Sequence, residues 1–119
     1  ALSVIGEKSI NDIYYSTGGA PEGVIVAAAL SCYGGQIQGR LVLNNEEKMS
    51  AKKLGIKNFD KKYNIEDMIK GDVIFCATGV TSGDLATGVK DLGSEYEVNT
   101  FVLHKSQNII KSVTNIYNK

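Results

Sequence analysis

The stretch from Thr17 to Gly35, TGGAPEGVIVAAALSCYGG, restricts what this chain can become more than any other. It reads as a loop that feeds a helix. Gly18 and Gly19 supply backbone freedom and bare N–H groups, and Pro21 suits the start of a helix, where its missing donor would have no partner anyway. Glu22 then falls in the first turn. From Val24 to Leu30 every residue is apolar, with no polar face before Ser31, so the sequence predicts a helix covered on most sides. The pair Gly34-Gly35 is placed to stop it. Residue chemistry gives this helix start the character of an anion or metal site. Glu22 has two readings of equal standing, as a metal ligand or as a partner of the helix dipole. The latter role is worth about 0.3 to 1 kcal/mol.

Other features narrow the function. With 119 residues, 43% of them apolar, the chain is long enough and apolar enough for one globular unit spanning 1–119. Thirteen basic side chains balance thirteen acidic ones, which leaves no electrostatic case for a nucleic acid or an anionic membrane as main partner. Lys48, Lys52, Lys53, Lys57, Lys61 and Lys62 cluster in a polar stretch that reads as a solvated face in preference to a phosphate-binding patch. Cys32 and Cys76 sit in apolar segments without ligand spacing and read as reduced core residues, which suits a cytoplasmic setting. No apolar run is long enough to span a membrane. With His104 as the single histidine, a zinc site of His and Cys is disfavoured, and a metal would be a hard cation, magnesium or manganese, held by carboxylates.

The remaining elements follow from periodicity and punctuation, and together they suit an α/β fold. The opening ALSVIGEKSINDIYYS has no Met start and reads as a chain that begins partway through a larger protein, with Ala1 to Ile5 closing a preceding element. Ile13, Tyr14 and Tyr15 are β-prone and predict a strand leading into the glycine loop, so that Thr17 to Glu22 would lie beyond a strand's carboxyl end, where ligands collect. Gln36 to Leu43 alternates and predicts a strand, with Ile37, Gly39, Leu41 and Leu43 on one face. Asn44 with Glu47 resembles a capping box for a helix from about Asn45 to Leu54, stopped at Gly55. Asn64 caps a short helix that packs on the sheet through Ile65, Met68 and Ile69 and ends at Gly71.

Val73 to Thr78 predicts an interior, central strand. The loop Thr78 to Asp84 is either a second wall of a site or a strand-to-helix turn capped by Ser82 or Asp84, with Leu85 to Val89 forming a helical turn. Glu95 to His104, a turn at Lys105 to Asn108, and Ile109 to Tyr117 predict an antiparallel hairpin. His104 has no Ser, Cys or Asp partner placed by sequence and reads as structural or exposed before it reads as a general base.

The ordered segments DIYYSTGGAPEGVIVAAALSCYGGQIQGRL, GIKNFDKKYNIEDMIKGDVIFCATGVTSGDL and the hairpin around HKSQN resemble the C-terminal part of class II fructose-1,6-bisphosphatases. The resemblance implies a lithium-sensitive phosphatase of gluconeogenesis that uses magnesium or manganese to remove the 1-phosphate of fructose 1,6-bisphosphate, with sedoheptulose 1,7-bisphosphate as a second substrate of some members. It implies a fold similar to inositol monophosphatases, of which this chain would be the second sheet and its helices. It maps a metal-binding, catalytic role onto Glu22 and substrate contact onto Gly19 with its neighbour Gly18. The family's other metal carboxylates have no counterpart here, so the resemblance implies a lobe completed by a missing N-terminal lobe, within a protein expected to be a homo-oligomer, and inert alone. The alternative is a free-standing sugar-phosphate-binding or regulatory module without catalysis.

Overall fold

The computed structural model describes Val4 and residues 12–119 of the chain. Ala1 to Ile5, expected to close a preceding element, therefore lie outside the described residues apart from Val4. Backbone contacts divide the molecule into two compact units, Ala1–Lys70 and Gly71–Lys119. Helices fill the first and a sheet fills the second, which bears out the α/β class.

In the first unit α1 spans Ala20–Tyr33, α2 Asn45–Lys53 and α3 Ile65–Met68. Gly19 is the N-cap of α1, and the first helical bond runs from Gly23 N–H to the Gly19 carbonyl at 3.1 Å. Gly34 ends the helix in the left-handed region at φ 71°, a conformation that favours glycine, and both Gly34 and Gly35 donate to the Leu30 carbonyl. The start and stop signals thus act where the sequence puts them. The expectation that α1 is covered on most sides does not hold: Ala27, Ala29 and Leu30 are buried, but Val24 and Ile25 remain 43% and 55% exposed. Within its unit α1 packs against α3, and that contact protects only part of an all-apolar cylinder.

The α2 helix follows its signals closely. Asn44 Oδ1 accepts from Glu47 N–H at 2.9 Å while Glu47 Oε2 accepts from Asn44 N–H at 2.8 Å, which satisfies two donors that a helix start leaves unpaired. At the other end Ile56 N–H reaches the Ala51 carbonyl and Gly55 N–H the Lys52 carbonyl, a Schellman pair that needs Gly55 at φ 87°. The start of α3 is held by the Asp67 carboxylate, which accepts from Asn64 N–H at 3.0 Å and pairs with Lys61 at 2.6 Å. Its neighbour in the unit is α1, where the sequence led one to expect a sheet.

Two predicted strands are not formed here. Residues 13–15 carry no regular structure. In residues 36–43 the predicted alternation is present in burial, since Ile37, Gly39, Leu41 and Leu43 are half-buried while Gln38, Arg40 and Val42 face solvent. Yet among the described residues only one bridge forms, Gly39 to Tyr63, through two backbone bonds of 2.9 and 2.8 Å. The opposing chain turns into α3 at Ile65 and offers no further extended residues for a ladder.

The second unit is an antiparallel sheet of β1 (Ile74–Thr78), β2 (Lys90–Asp91), β3 (Glu95–His104) and β4 (Ile109–Asn118). The whole of β3 pairs with β4 on one edge, while β1 and β2 share the other edge. The predicted hairpin is present, and its turn is closed by Asn108 at φ 50°, a left-handed position that Asn tolerates better than most residues. The centre of the sheet is β3, and β1 is an edge strand with Ile74 66% exposed, which corrects the expectation of an interior β1. An unbroken apolar run suited a strand covered on both faces, but among the described residues its five residues find one neighbouring strand. The predicted helical turn at Leu85 to Val89 is irregular loop.

Register places Phe75 beside Leu103 and Leu103 beside Ile110, so these side chains share one face of the sheet. Leu103 is the one large side chain fully removed from solvent among the described residues. Truncation of Leu103 to Ala should therefore cost about 2 to 5 kcal/mol, measured as a lowered urea midpoint with unchanged slope, whereas the exposed Ile110→Ala should cost far less.

Candidate functional site

The loop from Thr17 through Gly19 delivers Glu22 to the open N-terminal end of α1. Residues 12–22 are all exposed. Ala20 and Glu22 precede the first i to i−4 bond, so their N–H groups lie free at the positive end of the helix. The Glu22 carboxylate folds back over the cap: a Cβ built on Gly19 would lie 2.0 Å from Glu22 Oε2. At Gly18 a Cβ would meet nothing within 4 Å, so this glycine borders open space. Gly19 itself has φ −67° and ψ 147°, which any residue can adopt, and only the carboxylate disfavours a side chain there.

Glu22 forms no hydrogen bond or ion pair with another described residue. An exposed, unpaired carboxylate is a hard oxygen donor that suits magnesium or manganese as one ligand among several. Among the described residues no group of three or more His, Cys, Asp or Glu is arranged to hold an ion. A depression of about 270 Å³ lined by residues 35–38 and 64–66 sits past the other end of α1. The 14 residues of the helix separate it from Glu22 by about 20 Å.

In the second unit the hydroxyl-rich loop after β1 is closed on itself. Gly79 N–H donates to the Asn99 carbonyl, Gly88 N–H to Ser82 Oγ at 3.0 Å, and Thr87 N–H to Asn99 Oδ1 at 3.3 Å. Asn99 in turn donates to Ser112 Oγ at 2.7 Å and Thr114 Oγ1 at 3.1 Å on β4. A Cβ on Gly79 would fall 2.1 Å from the Thr87 carbonyl oxygen, so the two backbones approach as only glycine permits. Ser82 staples a loop and caps no helix, which removes the reading of a strand-to-helix turn.

His104 has the partners that the sequence did not place. Its Nε2 lies 2.8 Å from Asp72 Oδ2, and the same oxygen accepts from Ser106 Oγ at 2.6 Å. Asp72 Oδ1 accepts from Val73 N–H at 2.8 Å and Ser106 N–H at 3.0 Å. One imidazole nitrogen faces both Asp72 and Ser106, and the carboxylate takes both hydrogens, so the three residues form no nucleophile relay, which would need the two ring nitrogens to face different partners. The cluster ties the lead-in of β1 to the hairpin turn, and the structural reading of His104 holds. Register is the signal that reveals it: Ile74 opposes His104, so Asp72 lies just beyond the end of that pairing. The lysine stretch stays solvated, with Lys61 spent on Asp67 and placed 4.9 Å from the Tyr63 ring centre.

Comparison with known proteins resolves the family. The sequence profile described as bacterial fructose-1,6-bisphosphatase, glpX-encoded, matches residues 1–117. The chain belongs to this family. Among its curated relatives, the D-fructose 1,6-bisphosphatase class 2/sedoheptulose 1,7-bisphosphatase of Synechococcus sp. (strain JA-2-3B'a(2-13)) is 36% identical over 116 residues, which cover 86% of this chain and 33% of the relative. The fructose-1,6-bisphosphatase class 2 of Haemophilus influenzae is 32% identical over 121 residues, with 89% and 36% covered. The chain thus spans about a third of the length of the curated relatives it matches. None of the helices among the described residues is long and apolar enough to cross a membrane.

The Asp72 cluster makes a pH prediction for this family member. Hydrogen bonds from Ser106 first, then from His104, hold the Asp72 carboxyl well below the usual carboxylate range. A depressed folded-state value means stabilisation that is present above the ordinary value of 3.8 and lost as pH falls through the folded one. Asp72→Asn should therefore lower the denaturation midpoint at neutral pH and flatten its fall between about pH 5 and pH 2 relative to wild type.

Proposed function

We propose that this chain is the C-terminal lobe of a class II fructose-1,6-bisphosphatase, with both compact units belonging to that lobe. Glu22 is its metal ligand and Gly18 and Gly19 are its substrate contacts. The observation that carries this reading is an unpaired carboxylate at the open start of α1, in a chain whose match to the bisphosphatase profile runs from residue 1 to 117. In this reading the longer protein, to whose site the lobe contributes, acts on the 1-phosphate of fructose 1,6-bisphosphate, releasing fructose 6-phosphate and phosphate in gluconeogenesis. The double name of the Synechococcus relative supports sedoheptulose 1,7-bisphosphate as a further substrate.

A bound manganese or magnesium ion supplies an acidified water and charge neutralisation at the phosphate. Glu22 holds its share of that ion, and its carboxylate stays near the cap because the Gly19 position leaves it room. The N–H groups at the start of α1 and the bare backbone of Gly18 face substrate phosphate oxygens, where the positive end of the helix favours negative charge. One carboxylate is too few for such a site, so the other ligands come from the polypeptide that the longer relatives have outside the matched third. The whole protein is cytoplasmic and homo-oligomeric in this proposal; the exposed Val24 and Ile25 on α1 are consistent with further apolar contact in the assembly.

Phosphate release assays with manganese and magnesium test this in two proteins. The 119-residue chain alone should release none. In the longer protein Glu22→Gln should lower turnover by orders of magnitude while costing stability no more than the dipole contribution of about 0.3 to 1 kcal/mol. Near-normal turnover of Glu22→Gln with unchanged metal dependence would return Glu22 to a purely structural role.

A further inference from the structure

We infer that Gly19 is a positioning residue for Glu22: having no side chain, it leaves the space over the start of α1 to the Glu22 carboxylate and keeps that carboxylate out of a helix cap, free for a divalent cation. The inference rests on the reading of Glu22 as a metal ligand, and it gives Gly19 a role distinct from a backbone contact to substrate.

Its basis is a comparison inside the chain. Each of the three helices among the described residues has an acid three positions after its N-cap: Glu22 after Gly19, Glu47 after Asn44 and Asp67 after Asn64. In α2 and α3 the cap is asparagine and the acid is spent on it. Glu47 Oε2 accepts from Asn44 N–H at 2.8 Å, and Asp67 Oδ2 accepts from Asn64 N–H at 3.0 Å. Such bonds satisfy donors that a helix start leaves unpaired. At α1 the same spacing gives a different result, because Glu22 accepts from neither the Gly19 N–H nor any other described group.

The position of the carboxylate explains the difference. The three atoms nearest to a Cβ built on Gly19 are its Oε2 at 2.0 Å, Cδ at 3.0 Å and Oε1 at 3.6 Å, so the carboxylate fills the volume that the first side-chain carbon of a cap residue takes. A side chain at position 19 would push it out by rotation about single bonds. Nothing else there asks for glycine. Gly19 has φ −67° and ψ 147°, open to every residue, and asparagine, aspartate or serine would cap the helix better. A carboxylate fixed in a capping box points one oxygen at the helix backbone, whereas one left out of it can turn both oxygens to a hard cation.

Manganese affinity, measured by titration calorimetry without substrate, and the metal-free melting temperature test the inference in the longer protein. The set is wild type, Glu22→Gln, Gly19→Asn, Gly19→Ala and the Gly19→Asn, Glu22→Gln pair. Gly19→Asn recreates the asparagine-and-acid start of α2 and α3, so it should leave the metal-free melting temperature unchanged or raised while weakening manganese binding at least about ten-fold. Gly19→Ala, which adds the methyl without a capping group, should weaken binding as well. Because the effect runs through Glu22, Gly19→Asn should change affinity by less than about two-fold in the Glu22→Gln protein. Unchanged affinity of Gly19→Asn and Gly19→Ala beside weakened binding of Glu22→Gln overturns the inference and leaves Glu22 a metal ligand. Additive losses in the double variant overturn it too, since Gly19 would then act apart from Glu22. So does a lowered metal-free melting temperature of Gly19→Asn, which would make the glycine a requirement of the fold. Full manganese affinity in Glu22→Gln removes the ligand role itself, and the inference with it.

Discussion

The backbone ladder of β3 is the interaction on which the second unit depends. Its ten residues give one edge entirely to β4 and divide the other between β1 and β2, so every strand of the sheet is attached through it. Neither β1 nor β2 pairs with the other, and a two-residue strand such as β2 has no stability apart from its neighbour. Leu103 lies on β3 for the same reason: among the described residues, β3 is the strand with partners on both edges, and its side chains are the ones that neighbours can surround. The Asp72 cluster and the Asn99 bonds then fasten the loops at the two ends of β1 to this strand and its hairpin turn.

What was legible in the sequence was whatever depends on a few neighbouring residues. The capping box of Asn44 and Glu47, the glycine stops at Gly34 and Gly55 and the hairpin through Asn108 are local chemistry, and each forms where the residues put it. What failed was pairing, because a ladder belongs to two segments and periodicity describes one. Residues 36–43 show this most clearly: the burial alternation is as read, but the partner for more than one bridge is missing among the described residues. The apolar run of β1 was read as central for a related reason, since apolar content reports what covers the faces and is silent about who holds the edges. Asp72 and Ser106 were invisible because they meet His104 only once the register of β1 against β3 is known.

The candidate site was legible to the extent that it is one helix start. Glu22 and the two glycines lie within five positions, so their proximity follows from the chain itself, and the structure adds the orientation of the carboxylate over the cap. What a multi-carboxylate metal site needs beyond that is long-range, and in the proposed reading it comes from outside this third of the family's length. An all-apolar α1 that leaves Val24 and Ile25 in water fits the same division of labour between local signals and distant partners.

The glycines at positions 19 and 79 crowd their surroundings equally when a methyl group is added, at 2.0 and 2.1 Å, but they crowd different things. At Gly79 the obstacle is the main chain of Thr87, which cannot retreat without undoing the loop. At Gly19 it is the tip of the Glu22 side chain, which can swing aside by rotating about single bonds. A survey of variants scored by cellular abundance would therefore flag position 79 and pass over position 19, although a methyl at 19 displaces the carboxylate from the cap. The tolerance of a site to substitution, read from how much protein survives, is for this helix start a poor guide to what the residue is there to do.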